Sequence, residues 1–209
     1  MGLFERKTTP MTIPLYTLGN QRTKMVVGLG NVGKKYSLNR HNAGFLCIND
    51  YVSEQSGEWT EKKNLHCQIA ELRLGDKKVI FIKPTTMMNL SGQAVQAVKQ
   101  FYKLDNRDIL VVHDELALPF GSLRFRMGGS DAGNNGIKSV SAALGEDYPR
   151  LRIGIANENS ENTDASDFVL KNFSKAEQGS FKELFKETGS LITEFIYSDN
   201  LLPDTRKFA

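Results

Sequence analysis

A histidine, an aspartate and several asparagines carry most of the chemistry this chain can do. His41 stands in Arg40-His41-Asn42-Ala43-Gly44, downstream of the glycine-rich turn Gly28-Leu29-Gly30-Asn31-Val32-Gly33. Imidazole changes charge near neutral pH, which makes His41 a candidate general acid–base group. Asp114, in His113-Asp114-Glu115, can accept from one imidazole nitrogen and leave the other to take a proton from water. Asparagine amides are neutral and offer both donors and an acceptor. Asn31 and Asn89 can therefore place a substrate carbonyl and hold a developing oxyanion. No serine stands in a nucleophile-elbow context. The set supports direct attack by activated water on an ester or a similar bond.

Other chemistries fit less well. Gly28-x-Gly30-x-x-Gly33 matches the dinucleotide fingerprint, but that motif needs a helix opening at the turn to hold a pyrophosphate. Asn31 to Arg40 has no apolar helical face, and Asp50, about twenty positions on, falls in a predicted helix rather than at a strand end. His41, His66 and His113 are far apart, Cys47 and Cys67 have no paired spacing, and Asp114 and Glu115 point to opposite faces of an extended segment. No metal site follows from them. Cys67 lies inside a predicted strand, where a cysteine acts as a small buried hydrophobe. Met87-Met88 can line a pocket or fill the core.

The elements that must position these groups are legible from periodicity. Met25-Val26-Val27 reads as a short buried strand running into the glycine turn, and a helix is expected from about Asn42, with Phe45, Leu46, Ile48 and Val52 on its apolar side. Residues 67–74 alternate as a strand, turn at Gly75-Asp76, and return through Val79–Ile82. Ser91 is placed to cap a helix bearing Ala94, Val95, Val98, Phe101 and Tyr102. Ile109–Val112 is a buried strand leading into His113-Asp114-Glu115. Leu123-Arg124-Phe125-Arg126 alternates, so its two arginines share a face. The polar loop Gly128–Gly136 precedes a helix with Ile137, Val140 and Leu144, then a half-exposed strand, Leu151–Ile155. Ser174–Glu177 forms a capping box, and Phe181 to Ile196 shows helical spacing.

Interleaved strands and helices with one hairpin predict a single α/β domain, a mixed, mostly parallel sheet flanked by helices. Asn31, Asn89 and Asp114 each follow a predicted strand, where such sheets place their ligand crevice. Residues 1–23 read as an N-terminal extension and 24–209 as the folded domain. No apolar run reaches membrane-spanning length, and the first residues lack the apolar core of a signal peptide. A cytoplasmic protein is expected. The net charge of +3 is too small to mark a nucleic-acid partner without knowing where the charge sits.

Several separate motifs together resemble bacterial peptidyl-tRNA hydrolase: Gly28-Leu29-Gly30-Asn31-Val32-Gly33-x-x-Tyr36, Arg40–Gly44, Pro84-Thr85-Thr86-Met87-Met88-Asn89-Leu90-Ser91-Gly92, and His113-Asp114-Glu115-Leu116. Gly128-Gly129, Asn135-Gly136-x-Lys138 and Leu151-Arg152-Ile153-Gly154-Ile155 extend the resemblance, in order, from about Lys24 to the C-terminus. It implies a twisted sheet of the kind just described and hydrolysis of the ester joining a peptide to the terminal ribose of tRNA. It also implies a monomer without cofactor or metal, whose partner is peptidyl-tRNA. By the same resemblance His41 is the general base and Asp114 orients it. Asn31, Asn89 and Asn135 hold the peptide and the reacting ester, and Tyr36 and Met88 line the site. Arg124, Arg126, Lys138 and Arg152 contact tRNA phosphates. The chain departs from the family pattern at Val32, where proline is usual, and at Asp131 and Asn134, where the glycine-rich loop commonly carries histidine. The loop from Asn157 to Asp167 is acidic. The rival is a relative that keeps the fold and binds RNA without cleaving it; intact His41 and Asp114 count against that.

Overall fold

The computed structural model describes residues 22–198 and 202–208. Apart from Arg22 and Thr23, the expected N-terminal extension lies outside the described residues. Lys24–Gly28 forms β1, buried along its length and paired in parallel on both sides, with β4 (Lys77–Pro84) and β5 (Ile109–Pro119). A strand enclosed on both faces reads as a continuous apolar run, as Met25-Val26-Val27 does. β7 (Pro149–Ala156) continues the parallel core beyond β5.

Antiparallel strands flank that core. On one side β3 (Cys67–Leu74) pairs with β4 across the turn at Gly75-Asp76, and β2 (Thr60–Lys62) pairs with β3. On the other, β6 (Ser122–Met127) pairs with β7, and β8 (Asp204–Lys207) with β6. The spatial order is β2-β3-β4-β1-β5-β7-β6-β8. This is the single mixed sheet expected from the sequence, its parallel pairings gathered in the centre.

Helices α1 (Ala43–Glu54) and α6 (Phe181–Tyr197) cover one face, packing Ile48, Val52, Leu191 and Phe195 on Val26, Phe81, Leu110, Leu151 and Phe125. On the other face α2 (Ser91–Tyr102) and α3 (Asn135–Leu144) set Val95, Val98, Ile137 and Val140 against Val27, Ile80, Ile82 and Val111. This second core takes no residue from β6 or β7. There the alternation sends Leu123, Phe125, Leu151 and Ile153 to the α6 side and leaves arginines on the other.

Four expectations change. β5 runs on to Pro119, so Asp114 lies within the strand rather than after it; pairing with β7 persists through Glu115 opposite Gly154. Leu151–Ile155 is not half-exposed but belongs to an interior strand, with Arg150 wholly buried. Ser91 does not cap α2: a 3-10 turn over Met88–Leu90 runs directly into the helix, and Ser91 Oγ donates back to Met88 O at 2.8 Å. The Ser174–Glu177 capping box is present but opens a separate short helix, α5 (Lys175–Gly179), preceded by α4 (Ala165–Val169). The short edge strands β2 and β8 have no apolar alternation and were not expected.

Candidate active site

His41 lies in a 3-10 turn, Arg40–Asn42, directly before α1. The turn is forced close to the sheet by Gly44: a Cβ there would meet Val112 O at 2.3 Å and Leu29 N at 2.6 Å, so any other residue would push the helix start, and His41 with it, away from β5. Arg40 secures the other side. Its guanidinium meets both Glu177 carboxylate oxygens, at 2.9 and 2.6 Å, donates to Asn172 O, and lies over the Phe168 and Phe173 rings.

With its turn held from both sides, the imidazole faces Asp114 across the sheet end. His41 Nδ1 is 2.9 Å from each Asp114 carboxylate oxygen. Both side chains are buried. Burial opposes the imidazolium, but the Asp114 charge and hydrogen bond outweigh it and raise the His41 pKa above its usual 6.5. Burial likewise pushes the Asp114 carboxyl up; the His41 charge and hydrogen bond, with help from Asn134, prevail and hold it below the usual range. In the neutral ring Nδ1–H donates to the carboxylate, so Nε2 is the free base. His113, on the opposite face of β5, donates from Nδ1 to Asp114 O at 2.7 Å, and burial takes its pKa down to about 4. It is a neutral structural group.

Asn134 supplies a second donor to Asp114: Nδ2 reaches Oδ1 at 3.0 Å, while its own Oδ1 accepts from Gly136 N and Ile137 N and so caps α3. The position where the resemblance leads one to expect histidine is thus a bridge between Asp114 and a helix start. Asn before Asn-Gly-Ile is a readable N-cap signal; its contact with Asp114 is not readable. Asp131, the other replaced position, accepts from Gly133 N at 2.8 Å and closes the loop's own turn.

Asn31 is fixed at every backbone group. Its N–H donates to Asn42 Oδ1 at 2.8 Å, its carbonyl accepts from Asn42 Nδ2 at 2.9 Å, and its side-chain oxygen accepts from Met88 N at 2.9 Å. The Asn31 Nδ2 group is left over for a ligand. Asn42, unremarked in the sequence, is the clasp that orients it. Two cavities meet at His41. One, of about 320 Å³, is lined by Asp114, Asn134, Asn135 and the α4 residues Ser166 and Val169. The other, of about 290 Å³, is lined by Asn31, Met88, Asn89 and Asn135. Tyr36 lines neither; its ring lies under Lys35 Nζ, 4.7 Å from the centroid.

The four cations expected at tRNA divide. Arg124 faces Arg152 across β6 and β7, on the sheet face that α2 and α3 leave uncovered, and all of Arg124, Arg126 and Arg152 are partly exposed. Arg152 lies 3.7 Å from Glu115. Lys138 is exposed on α3, away from this strand row. Arg126 faces a residue that sequence reading missed, Arg150, whose buried guanidinium donates to Ser130 O, Ser141 Oγ and Glu146 O and ties the glycine-rich loop to α3. Among the described residues no group of three or more His, Cys, Asp or Glu side chains could hold a metal ion, and no helix is long and apolar enough to cross a membrane.

The family model that matches, Peptidyl-tRNA hydrolase, spans residues 25–208. The peptidyl-tRNA hydrolase of Rickettsia bellii (strain RML369-C) is 44% identical over 154 residues, 73% of this chain and 82% of its own length. That of Frankia alni is 41% identical over 185 residues, 88% of this chain and 92% of its own. A crystal structure of peptidyl-tRNA hydrolase from Acinetobacter baumannii superposes with a TM-score of 0.75 at 28% identity, covering 90% of this chain and 98% of that one. With its sheet order, its buried His–Asp pair and these matches taken together, the chain belongs to the peptidyl-tRNA hydrolase family.

Proposed function

We propose that this chain hydrolyses the ester between peptide and tRNA in peptidyl-tRNA, releasing tRNA for reuse, with His41 activating the attacking water. The observation that carries it is the buried contact between His41 Nδ1 and Asp114 at the junction of two cavities. Nε2 takes a proton from water as the oxygen adds to the ester carbonyl. The oxyanion accepts from the amides of Asn89 and Asn31, and the tetrahedral species collapses as His41 returns its proton to the departing ribose oxygen. Asn135 lines both cavities and holds the ester between them, and Met88 packs against the peptide. The same reading takes the protein as a monomer that works without a cofactor in the cytoplasm, where translation uses the product.

The test is paired: single-turnover cleavage of peptidyl-tRNA and affinity for deacylated tRNA, for wild type and His41→Ala. Loss of cleavage with binding intact is expected. Wild-type protein that binds tRNA and never cleaves would establish the RNA-binding rival instead.

Two further outcomes are expected. Asn89→Ala should lower turnover by about a hundredfold, the effect of removing one oxyanion donor; turnover near the wild-type rate would leave Asn89 as a structural residue of the turn into α2. For the RNA, Arg124, Arg126, Lys138 and Arg152 are the phosphate contacts. Like charges facing across strands are unfavourable in the free protein, and a polyanion offsets that repulsion. Arg126→Ala should weaken tRNA binding and reduce the slope of log K against log salt by about one. An unaltered slope would remove Arg126 from the interface.

A further inference from the structure

Beyond Asn31, on the side away from His41, lies a third cavity of about 310 Å³. Its walls come from the glycine turn, from α1 and from the ends of β3 and β4. Two lysines, Lys34 and Lys83, line it, and no carboxylate does. Lys83 is the unusual one. Its Nζ is 2.6 Å from Asn49 Oδ1 and 4.0 Å from the Trp59 ring centroid, and among the described residues it has no ion-pair partner. Burial alone takes its pKa down to about 8, with no acidic group opposing the shift. A cation held half-buried between a neutral amide and an aromatic face is poorly compensated, and an anion entering the cavity would complete its surroundings.

The sheet order indicates what that anion is. Lys83 is on β4 and Asp114 on β5, with β1 between them. The registers Phe81–Val26 and Val26–Leu110 put Lys83 and Asp114 on the same sheet face, each just past the last residue paired in parallel with β1, Ile82 and Val112. Arg124, Arg126 and Arg152 lie on the other side of β5, on the opposite face. The ester at His41 therefore has RNA-binding cations on one side and the Lys83 cavity on the other. The substrate arm that can enter this cavity is the peptide. Two strand spacings are about 10 Å, the reach of roughly three extended residues. Exposed Val32 and the clasped Asn31 form the ledge between the two cavities.

Resting on the hydrolase activity proposed above, we propose that the cavity holding Lys83 is a peptide subsite for an acidic side chain, Asp or Glu, two or three residues before the esterified one. Lys83 Nζ meets the carboxylate, and Gln68 and Thr85, which share the lining, supply neutral donors. Lys83 is here a specificity-determining residue and takes no part in the bond cleavage.

The experiment compares peptidyl-tRNAs that share one tRNA and one esterified residue and carry Glu or Gln either two or three residues before it. Steady-state kcat/KM is measured for wild type, Lys83→Met and Lys83→Arg, with deacylated tRNA affinity alongside. At one position wild type should prefer Glu over Gln by about tenfold, chiefly through KM. Lys83→Met should bring the ratio to about one, and Lys83→Arg should retain the preference because it keeps the charge. Equal rates on Glu and Gln substrates in wild type would overturn the subsite while leaving hydrolysis intact. Cleavage of neither substrate would overturn hydrolysis and the subsite with it. Loss of deacylated tRNA affinity in Lys83→Met would mean that the cavity takes a phosphate, and would also overturn it. If Lys83→Met failed to fold, the wild-type Glu-to-Gln ratio would decide alone.

Discussion

Asp114→Asn is expected to lower single-turnover cleavage by about four orders of magnitude, as the same change does in other His–Asp sites, while affinity for deacylated tRNA stays as it was. The carboxylate receives two donors, His41 Nδ1–H and Asn134 Nδ2. A carboxamide has one acceptor oxygen for both. With that oxygen turned to Asn134, the new NH2 faces His41 Nδ1, and the ring proton is driven to Nε2, the atom that must be bare to take a proton from water. The pH profile gives an independent reading. On the proposed mechanism neutral His41 is the active form, so the wild-type rate should rise with pH through a midpoint above 6.5, the direction in which Asp114 moves it. Without the charge the imidazolium loses its stabilisation while burial still opposes it, so the residual rate of Asp114→Asn should level off at lower pH than wild type. His113, at about 4, does not titrate in that window. Cleavage within tenfold of wild type, or an unmoved midpoint, would sink the assignment.

The second large effect is on stability. Arg40→Met removes the cation from a buried pair and leaves the Glu177 carboxylate with only its neutral donors, Asn157 Nδ2 at 2.8 Å and Ser174 N at 2.6 Å. Breaking a buried pair from one side costs about 3–5 kcal/mol. In a chain of this size that corresponds to a fall in Tm of about 10 °C. Urea melts of Arg40→Met, Glu177→Met and the double variant separate the explanations. The double variant should recover much of the loss, because no charge is then stranded. A single-variant loss below about 1 kcal/mol, the worth of an exposed ion pair, would show that the charge stays hydrated.

The difference between what sequence reading found and what it missed follows from range. The pairing of His41 with Asp114 was legible because residue type and motif context limit what such residues do, and the glycine turn after β1 has a local signature; the end of β5 was placed too early because the polar run His113-Asp114-Glu115 reads locally as a strand end. Asn134 looked like a lost histidine because its capping role is local and its bond to Asp114, 20 residues away, is not. Asn42 stands in a recognised motif, but its clasp on Asn31 is a folded contact 11 residues back, and Arg150 likewise acts only through folded contacts. The alternation in Leu151-Arg152-Ile153 suggested a half-exposed strand. It in fact alternates between a core and a row of arginines, one of them buried under the loop it anchors. β8, built from Asp204-Thr205-Arg206-Lys207, is held by edge pairing and by Arg206 reaching Glu194, and has no hydrophobic pattern to find.

The Arg40–Glu177 contact also sets an order of events while the chain is being made. The two residues lie 137 positions apart, and at ordinary elongation speeds the ribosome needs roughly ten seconds or more to pass from one to the other. β1 waits likewise for β4 and then β5 to emerge before either edge is paired. Until Glu177 has left the exit tunnel, the turn bearing His41 lacks its anchor. A nascent chain arrested before that point therefore carries His41 on a turn that lacks one of its two anchors, and on the reading proposed above prematurely terminated copies should not cleave peptidyl-tRNA.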